Sequence, residues 1–226
     1  MATMDIQEIR DELCHYLRNA DILTTTIRGV TTATETFTAT ASQTVFTLAH
    51  VQIRNIRSLT VASVSKQYLR DYTVAWETGV VTLNTGASVG NAVVIQYDYG
   101  IRDKIYPDYP RDDLSLTSYP RVGIELTSIR TEPLGLGGTT HMSSIIFTIY
   151  CWVSANKDTA IAGGYGGLTN LNTLMKSIRS VIRTNATSFY ASSFITPLNT
   201  TSQMRVGNDK VIQQSQDIEV KFKVES

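Results

Sequence analysis

The first apolar pattern in the chain predicts an amphipathic helix from Asp5 to Ala20. Its apolar residues recur at intervals of three and four positions, which places them on one helix face: Ile6, Ile9, Leu13, Tyr16 and Leu17. Asp5 and Glu8 have the spacing of a capping box, in which side chains satisfy free amide groups at the helix start. We therefore expect a helix packed on the surface of a larger unit.

Between Thr34 and Tyr99 the apolar period changes to two, which is the period of β-strands. Short runs rich in Val, Thr, Tyr and Ile alternate there with turn residues such as Thr78-Gly79. The pattern predicts an inserted β-sandwich-like domain over residues 34–99. Residues 100–118 follow as a predicted linker, because prolines and a dense mixture of charges, IRDKIYPDYPRDD, disfavour a helix.

Beyond the linker the pattern predicts a hairpin, a second helix and a final strand. The runs that carry these elements are Arg121–Ile129, Ile145–Val153, a helix that starts near Leu168, and Ile218–Val224. Since Ile145–Val153 is apolar at nearly every position, we expect it to be buried on both faces. The predicted fold class is α+β: an antiparallel or mixed sheet flanked by two helices, built from residues 1–33 and 119–226, with a small all-β domain inserted.

Composition and charge limit the classes of function. Apolar residues make up 42% of the 226 positions, as in a folded protein, and 20 basic residues balance 20 acidic ones. A net charge of zero argues against binding to free nucleic acid and suits a chain that assembles with its own copies. Because the sequence has neither an apolar run of membrane-spanning length nor a secretory signal, we expect no membrane partner.

The sequence predicts neither a catalytic site nor a metal or cofactor site. The glycine-rich run GGYGGLT lacks the lysine of a phosphate-binding loop, and the histidines lie in different elements without ligands at zinc spacing: His15, His50 and His141. Cys14 and Cys151 are isolated in the sequence, which indicates buried, reduced thiols. The chain is therefore predicted not to be an enzyme.

One set of residues in the predicted β-domain has the composition of a binding surface. Arg54, Arg57 and Arg70 are basic, and Trp76 is close to them in sequence. The set is compatible with a carbohydrate or nucleic-acid surface. An ordinary solvated sheet face is the favoured interpretation, because scattered surface charges contribute little specific binding.

The order of the outer elements resembles that of tail terminator (tail completion) proteins of long-tailed bacteriophages. The resemblance rests on the helix DIQEIRDELCHYL, the strand entry YPRVGIEL, the glycine-rich hairpin tip, the strand IIFTIYCWV, the helix LTNLNTLMKSIRSVIRT and the closing strand DIEVKFKV. It covers residues 1–30 and 119–226. The inserted stretch, with TFTATASQTVFTL, DYTV and VVTLNTGASVGNAVVIQYDYG, is similar to small β domains of many virion proteins, and simpler tail terminators lack it.

The resemblance implies a protomer of a six-fold ring in the virion tail or neck, assembled in the host cytoplasm. The implied partners are further copies of the chain, the tail tube protein, a head-completion or connector protein and, in a contractile tail, the sheath protein. DNA would pass through the lumen only as cargo, and the inserted domain would project from the ring.

The hairpin is expected to make the contacts with neighbouring subunits and with the tube, its tip Leu134–Met142 above all. The residues in question are Leu134, Gly135, Gly137, Gly138, His141, Met142, Phe147, Ile149 and Trp152. Two alternatives stay open: another neck or tail component, such as a head–tail connector or tube protein, and a glycan-binding virion module.

Overall fold

The computed structural model describes residues 6–101, 103–108, 119–133, 140–154, 166–187, 194–201, 204–206 and 211–225. The structure is mainly β, with 54% strand and three helices in the described ranges. It divides into two compact units, which we name the frame unit and the inserted unit. The frame unit combines Met1–Ile22 with Lys104–Ser226, and the inserted unit is Leu23–Asp103.

The elements are numbered in chain order. The frame unit begins with α1 (Ile6–Asn19). The inserted unit contains α2 (Thr25–Arg28), β1 (Thr31–Thr38), β2 (Gln43–Thr47), β3 (Ile53–Val61), β4 (Val64–Ser65), β5 (Tyr72–Ala75), β6 (Val80–Ala87) and β7 (Ala92–Tyr99). The frame unit resumes with β8 (Ile105–Tyr106), β9 (Arg121–Pro133), β10 (Thr140–Ser154), α3 (Gly166–Thr184), β11 (Phe194–Thr200), β12 (Met204–Val206) and β13 (Val211–Glu225).

One sheet organises the frame unit, with the strand order β11-β13-β10-β9-β8 and with β12 also paired to β13. All pairs are antiparallel except β8 with β9, so the sheet is mixed. Helix α3 packs against β10, β11 and β13, and α1 contacts β8 and α3. The α+β prediction is thus confirmed in part: the sheet and its helices are present, but the chain is richer in strand than predicted.

Alternation along β10 explains how the frame core is built. Every second side chain is buried on the face towards α3: Ile145, Phe147, Ile149, Cys151 and Val153. The buried residues of α3 recur at helical spacing: Leu171, Leu174, Met175, Ile178 and Ile182. Cys14 and Cys151 are both buried outside any disulfide, and burial raises the pKa of the Cys151 thiol, so that this sulfur stays protonated.

The stretch predicted as a linker, residues 100–118, contributes a strand to the frame sheet. Ile105 is buried, and β8 pairs in parallel with Val122 and Gly123. Arg18 of α1 donates from Nη2 to the carbonyl oxygen of Ile105 at 2.6 Å. The linker prediction therefore fails at β8, because an apolar residue there completes the sheet; residues 109–118 lie outside the described residues.

The inserted unit is a sandwich of two sheets around one core. Their strand orders are β1-β7-β3-β4 and β2-β6-β5. Both sheets supply side chains to the same core, including Ile56 and Ile95 from the first and Phe46 and Val81 from the second. The predicted hairpin turn at Thr78-Gly79 is confirmed, since Ala75 pairs with Val80 across it. The observed bounds of the unit, however, lie outside the predicted 34–99.

A buried ion cluster explains why the unit extends beyond its strands. Arg28, which ends α2, donates from Nε and Nη2 to the carboxylate of Asp103 at 3.0 and 2.8 Å, and from Nη1 to Asp98 at 2.9 Å. Asp98 also accepts from Arg57 Nε and from Thr32 Oγ1, both at 2.7 Å. The cluster joins the first and last segments of the unit, and neither could be removed without exposing buried charge.

The electrostatics of this cluster favour the charged state. Burial acts to lower the pKa of Arg28, but hydrogen bonds and charges from Asp103 and Asp98 outweigh it and raise that pKa above its ordinary value. Each carboxylate is therefore held by a permanently charged guanidinium.

Two buried tyrosines are expected to make the inserted unit sensitive to alkaline pH. Burial raises the pKa of Tyr72 and of Tyr97 above the ordinary 10.0, and Glu35 adds to the effect at Tyr97. Above pH 10 the unfolded chain releases protons that the folded chain retains, so stability falls with pH by up to about 1.4 kcal/mol per pH unit for each tyrosine. Tyr72→Phe should make this fall less steep by about that amount.

Urea titrations at several pH values above 10 would measure this slope. Each unit has one of the chain's two tryptophans, so Trp76 fluorescence in a Trp152→Phe background follows the inserted unit alone. Tyr150→Phe in the frame unit is the control and should leave the slope unchanged. Equal slopes for Tyr72→Phe and the unsubstituted chain would contradict the prediction.

Candidate functional site

A long open strand edge lies on one side of the frame sheet. Strand β9 pairs with β10 along its length, but on its other side β8 reaches only Val122 and Gly123. Among the described residues, Ile124–Pro133 therefore has no strand partner on that side. Ten residues of extended chain span about 33 Å, and their outward amide and carbonyl groups can pair with another strand. We call this stretch the β9 edge.

The side chains of the β9 edge restrict which strand can pair with it. The register shifts between Ile146 and Phe147 of β10, which leaves Thr127 as the extra residue of a β-bulge. Arg130 and Glu132 are exposed, while Ile129 is an apolar residue that is 50% exposed. Bulges and charges protect edges from indiscriminate pairing, so an exposed isoleucine between them favours one complementary partner over general aggregation.

The opposite end of the same sheet presents a second, different edge. Strand β11 pairs with β13, and the described residues place no strand on its far side. Pro197 in this strand lacks an amide hydrogen, as is typical of edge strands. The frame sheet therefore has two unlike ends, the β9 edge and the β11 edge.

The structure corrects part of the predicted interface along the hairpin. Leu134, Gly135, Gly137 and Gly138 lie outside the described residues. His141 and Met142 are half-buried on β10, opposite Pro133 and Glu132 of β9. Phe147, Ile149 and Trp152 are buried within the chain itself, at 0, 0 and 1% exposed. These last three cannot contact a neighbour in this conformation, because their surfaces are already covered.

The cover of Trp152 comes from the same chain. The guanidinium carbon of Arg121 lies 4.5 Å from the ring centroid of Tyr119 and 5.4 Å from that of Trp152. Tyr150 stacks beside Trp152 at a centroid distance of 5.5 Å. The expectation that β10 is buried on both faces therefore holds near Trp152, but a cation–π cluster within the chain accounts for it, not a second subunit.

A separate cleft lies at one end of the inserted unit. It has a volume of about 460 Å³ and is lined by Val51, Gln52, Arg54, Trp76, Glu77 and Thr78. We call it the Trp76 cleft. Its two walls are the loop before β3 and the turn between β5 and β6, and no residue of the frame unit is among those that line it.

Backbone hydrogen bonds fix the two walls of the Trp76 cleft. Gln52 N donates to Glu77 O at 3.1 Å, and Ile53 N donates to Trp76 O at 2.7 Å. Gly79 has a φ of +74°, and a Cβ there would lie 2.3 Å from His50 O, so only glycine permits this approach. The walls are therefore held by the fold before any ligand arrives.

Aromatic contacts hold His50, at the start of the same loop. Its ring stacks on Tyr99 at a centroid distance of 3.7 Å, and its Nδ1 lies 2.8 Å from the Tyr97 hydroxyl. That hydroxyl also donates to Glu35, whose carboxylate accepts from Ala49 N at 2.9 Å. Since Tyr97 is buried and its pKa is raised, this network serves to position the loop and is a poor source of protons near neutral pH.

The side chains of the Trp76 cleft combine an aromatic ring with polar groups of both charges. Trp76 is half-buried, and its ring meets that of Tyr68 in an edge-on arrangement with the ring centroids 5.5 Å apart. Arg54 donates from Nε to Gly100 O at 2.7 Å and from Nη2 to Ile101 O at 2.5 Å. Gln52, Glu77 and Thr78 are exposed. The cleft can thus offer a flat apolar surface together with a carboxylate, an amide, a hydroxyl and a guanidinium.

Of the predicted β-domain surface, the structure brings together only Arg54 and Trp76. Arg57 is bonded to Asp98 in the buried ion cluster, and Arg70 is exposed with Nη1 3.4 Å from Gln67 Oε1, outside the cleft. The predicted set is therefore not one basic surface, because one of its charges is neutralised inside the unit. Sequence reasoning missed Gln52, Glu77 and Thr78, for which the only signal was their proximity to Trp76 or Arg54.

No group of three or more His, Cys, Asp or Glu side chains within the described ranges could hold a metal ion. None of the described helices is long and apolar enough to cross a membrane. In comparisons with known proteins, no family model matches the sequence, and no curated protein matches it either.

Proposed function

We propose that the chain is a structural virion protein that forms a ring, with six copies, at the end of a bacteriophage tail tube. One observation carries the proposal: among the described residues, the sheet of the frame unit has two unlike open edges, the β9 edge and the β11 edge. The order of helix, hairpin, helix and closing strand, which resembles tail terminators, supports the same function. The balanced charge of the chain does so as well.

Rings need two different surfaces on each subunit. In a head-to-tail contact, one patch of a subunit binds a different patch of the next, and the series closes when the rotation per subunit divides a full turn. Adding a neighbour's strand to the β9 edge would satisfy its open backbone groups and cover Ile129. A ring of this kind leaves the inserted unit outside the sheet contacts.

The proposed place of the ring is the neck of the virion, after assembly in the host cytoplasm. There it would stop growth of the tail tube and offer a surface to a head-completion or connector protein. A sheath protein would be a further partner in a contractile tail, and DNA would pass through the lumen without sequence-specific contacts.

Native mass measurement of the purified chain tests the ring. Six copies of the 25.0 kDa chain, about 150 kDa, are expected. Twelve copies or polymerised tubes would favour the second candidate, a connector or tube protein. In such a protein the open β9 edge could also form the contact between subunits. A monomer at every concentration would exclude both.

Ile129→Asp is expected to weaken ring assembly by about 100-fold, because it places an unpaired carboxylate where the neighbour's strand would cover the side chain. Since Ile129 is half-exposed in the single chain, the fold should be kept. Val89→Asp is the control, in which a valine of the inserted unit that is 71% exposed is changed to the same residue. Sedimentation at several concentrations would compare them. Equal assembly of the two variants would argue against the β9 edge.

Electron micrographs of particles made without this protein would separate the two candidates. Overlong or headless tails are expected for a tail terminator. Absence of tails altogether would point to a tube protein instead.

A further inference from the structure

We infer that the Trp76 cleft binds a neutral saccharide. This goes beyond the proposed function, because a ring contact at the β9 edge does not use the inserted unit. The cleft belongs entirely to Leu23–Asp103, and its residues take no part in the frame sheet.

The first step is the aromatic ring. Trp76 packs against the core of the inserted unit next to Tyr68, and it is also one of the residues that line the cleft. This packing restricts the rotation of the side chain, so it loses less conformational entropy than a free one when a ligand stacks on it. An indole that is both fixed and accessible suits the apolar C–H face of a pyranose, which is flat and of similar size.

The second step is the arrangement of polar groups around that ring. Gln52 and Glu77 lie on opposite walls, which the Gln52 N to Glu77 O hydrogen bond joins, and Thr78 is next in the turn. Amide, carboxylate and hydroxyl groups can donate to and accept from the hydroxyls of one sugar at several positions. Because the backbone already holds the walls, the positions from which these side chains extend are set before binding.

The third step is the charge of the cleft, which favours a neutral sugar over a nucleic acid as its ligand. Arg54 is the one cation lining the cleft, and two of its nitrogens already donate to the carbonyl oxygens of Gly100 and Ile101. Glu77 contributes a negative charge to the same cleft. A phosphate would meet repulsion from Glu77 and a guanidinium that is largely engaged, whereas a neutral hydroxylated ligand meets neither penalty.

The test uses the full chain and defined probes. Maltohexaose, cellohexaose and chitohexaose represent the neutral saccharides, and dextran sulfate and a dT20 oligonucleotide represent the anionic ligands. Saturation-transfer NMR would detect binding, and Trp76 fluorescence would give Kd, since Trp152 is buried and does not meet the ligand. At least one neutral hexasaccharide should bind with a Kd of about 1 mM or lower.

Variants assign the binding to the cleft. Trp76→Ala and Gln52→Ala should each raise Kd about ten-fold, the first followed by NMR because it removes the fluorophore. Gln52 is exposed, so its variant stays informative even where Trp76→Ala disturbs packing on Tyr68. Arg70→Ala, outside the cleft, should leave Kd unchanged. Glu77→Lys should shift preference from neutral saccharides to dextran sulfate.

Two results would overturn the inference. One is the absence of binding to all three neutral hexasaccharides at about 10 mM. The other is binding of the unsubstituted chain to dextran sulfate or dT20 in preference to them. Both results are independent of the mass measurement, so failure of the saccharide site and failure of the ring can be told apart.

Discussion

Arg28→Met is expected to lower the free energy of unfolding of the inserted unit by about 3–5 kcal/mol. The Arg28 side chain is 0% exposed and makes ion pairs with Asp98 and Asp103, which are themselves buried. Removing the guanidinium leaves their negative charges in the interior with less compensation. Asp98 retains Arg57 at 2.7 Å, whereas Asp103 loses both hydrogen bonds that Arg28 donates. Urea titration followed by Trp76 fluorescence in a Trp152→Phe background measures the loss.

Arg57→Met is the matched control for this prediction. It makes the same chemical change next to Asp98, but its side chain reaches solvent and Asp98 keeps Arg28. A smaller loss of about 1–2 kcal/mol is therefore expected. Changing Asp98 and Asp103 to asparagine together with Arg28→Met should restore part of the stability, because no uncompensated charge remains. Equal losses of unfolding free energy for Arg28→Met and Arg57→Met would contradict the prediction, because they would show that the more deeply buried arginine does not contribute more to stability.

The elements that the sequence predicted well are those set by local periodicity. Helix α1 ends within one residue of the predicted Asp5–Ala20, and α3 begins at Gly166, near the predicted Leu168. Strand β13 shows the predicted alternation but is longer, Val211–Glu225, because its polar first half pairs with β10 and with β12. Periodicity identifies such elements because one buried face dictates the residues at each repeat.

Long-range partners could not be predicted in the same way. Arg28 forms ion pairs with Asp98 and Asp103, which are 70 and 75 positions away in the sequence. The residues around each of them give no sign of this pairing. The same limit explains the error at the hairpin. An apolar run shows that a residue such as Trp152 will be covered, but not whether Arg121 of the same chain or another subunit will cover it. Likewise, Arg54 and Trp76 share a cleft only because two loops are joined by backbone hydrogen bonds.

Phe147→Ala is expected to destabilise the frame unit by about 3–5 kcal/mol, the cost of a large cavity in a packed core. Phe147 is 0% exposed on the face of β10 towards α3, between Ile145 and Ile149. Trp152 fluorescence in a Trp76→Phe background would follow this unit during urea unfolding. Ile129→Ala in the adjacent strand is the matched control and should cost less than about 1 kcal/mol, because the side chain is half in water.

Measuring the assembly of Phe147→Ala and Ile129→Ala distinguishes a residue of the core from a residue of the subunit interface. If the β9 edge forms the ring contact, Ile129→Ala should lower assembly while its stability stays close to that of the unsubstituted chain. Phe147→Ala should lose assembly only in proportion to the fraction of chains that are unfolded, so urea-free conditions at low temperature should restore it. The opposite result would be that Phe147→Ala is folded but fails to assemble, while Ile129→Ala assembles normally. It would indicate that the subunits contact each other through β10 and not through the β9 edge. It would then require that α3 moves off this strand when subunits meet, since α3 packs against β10 in the single chain.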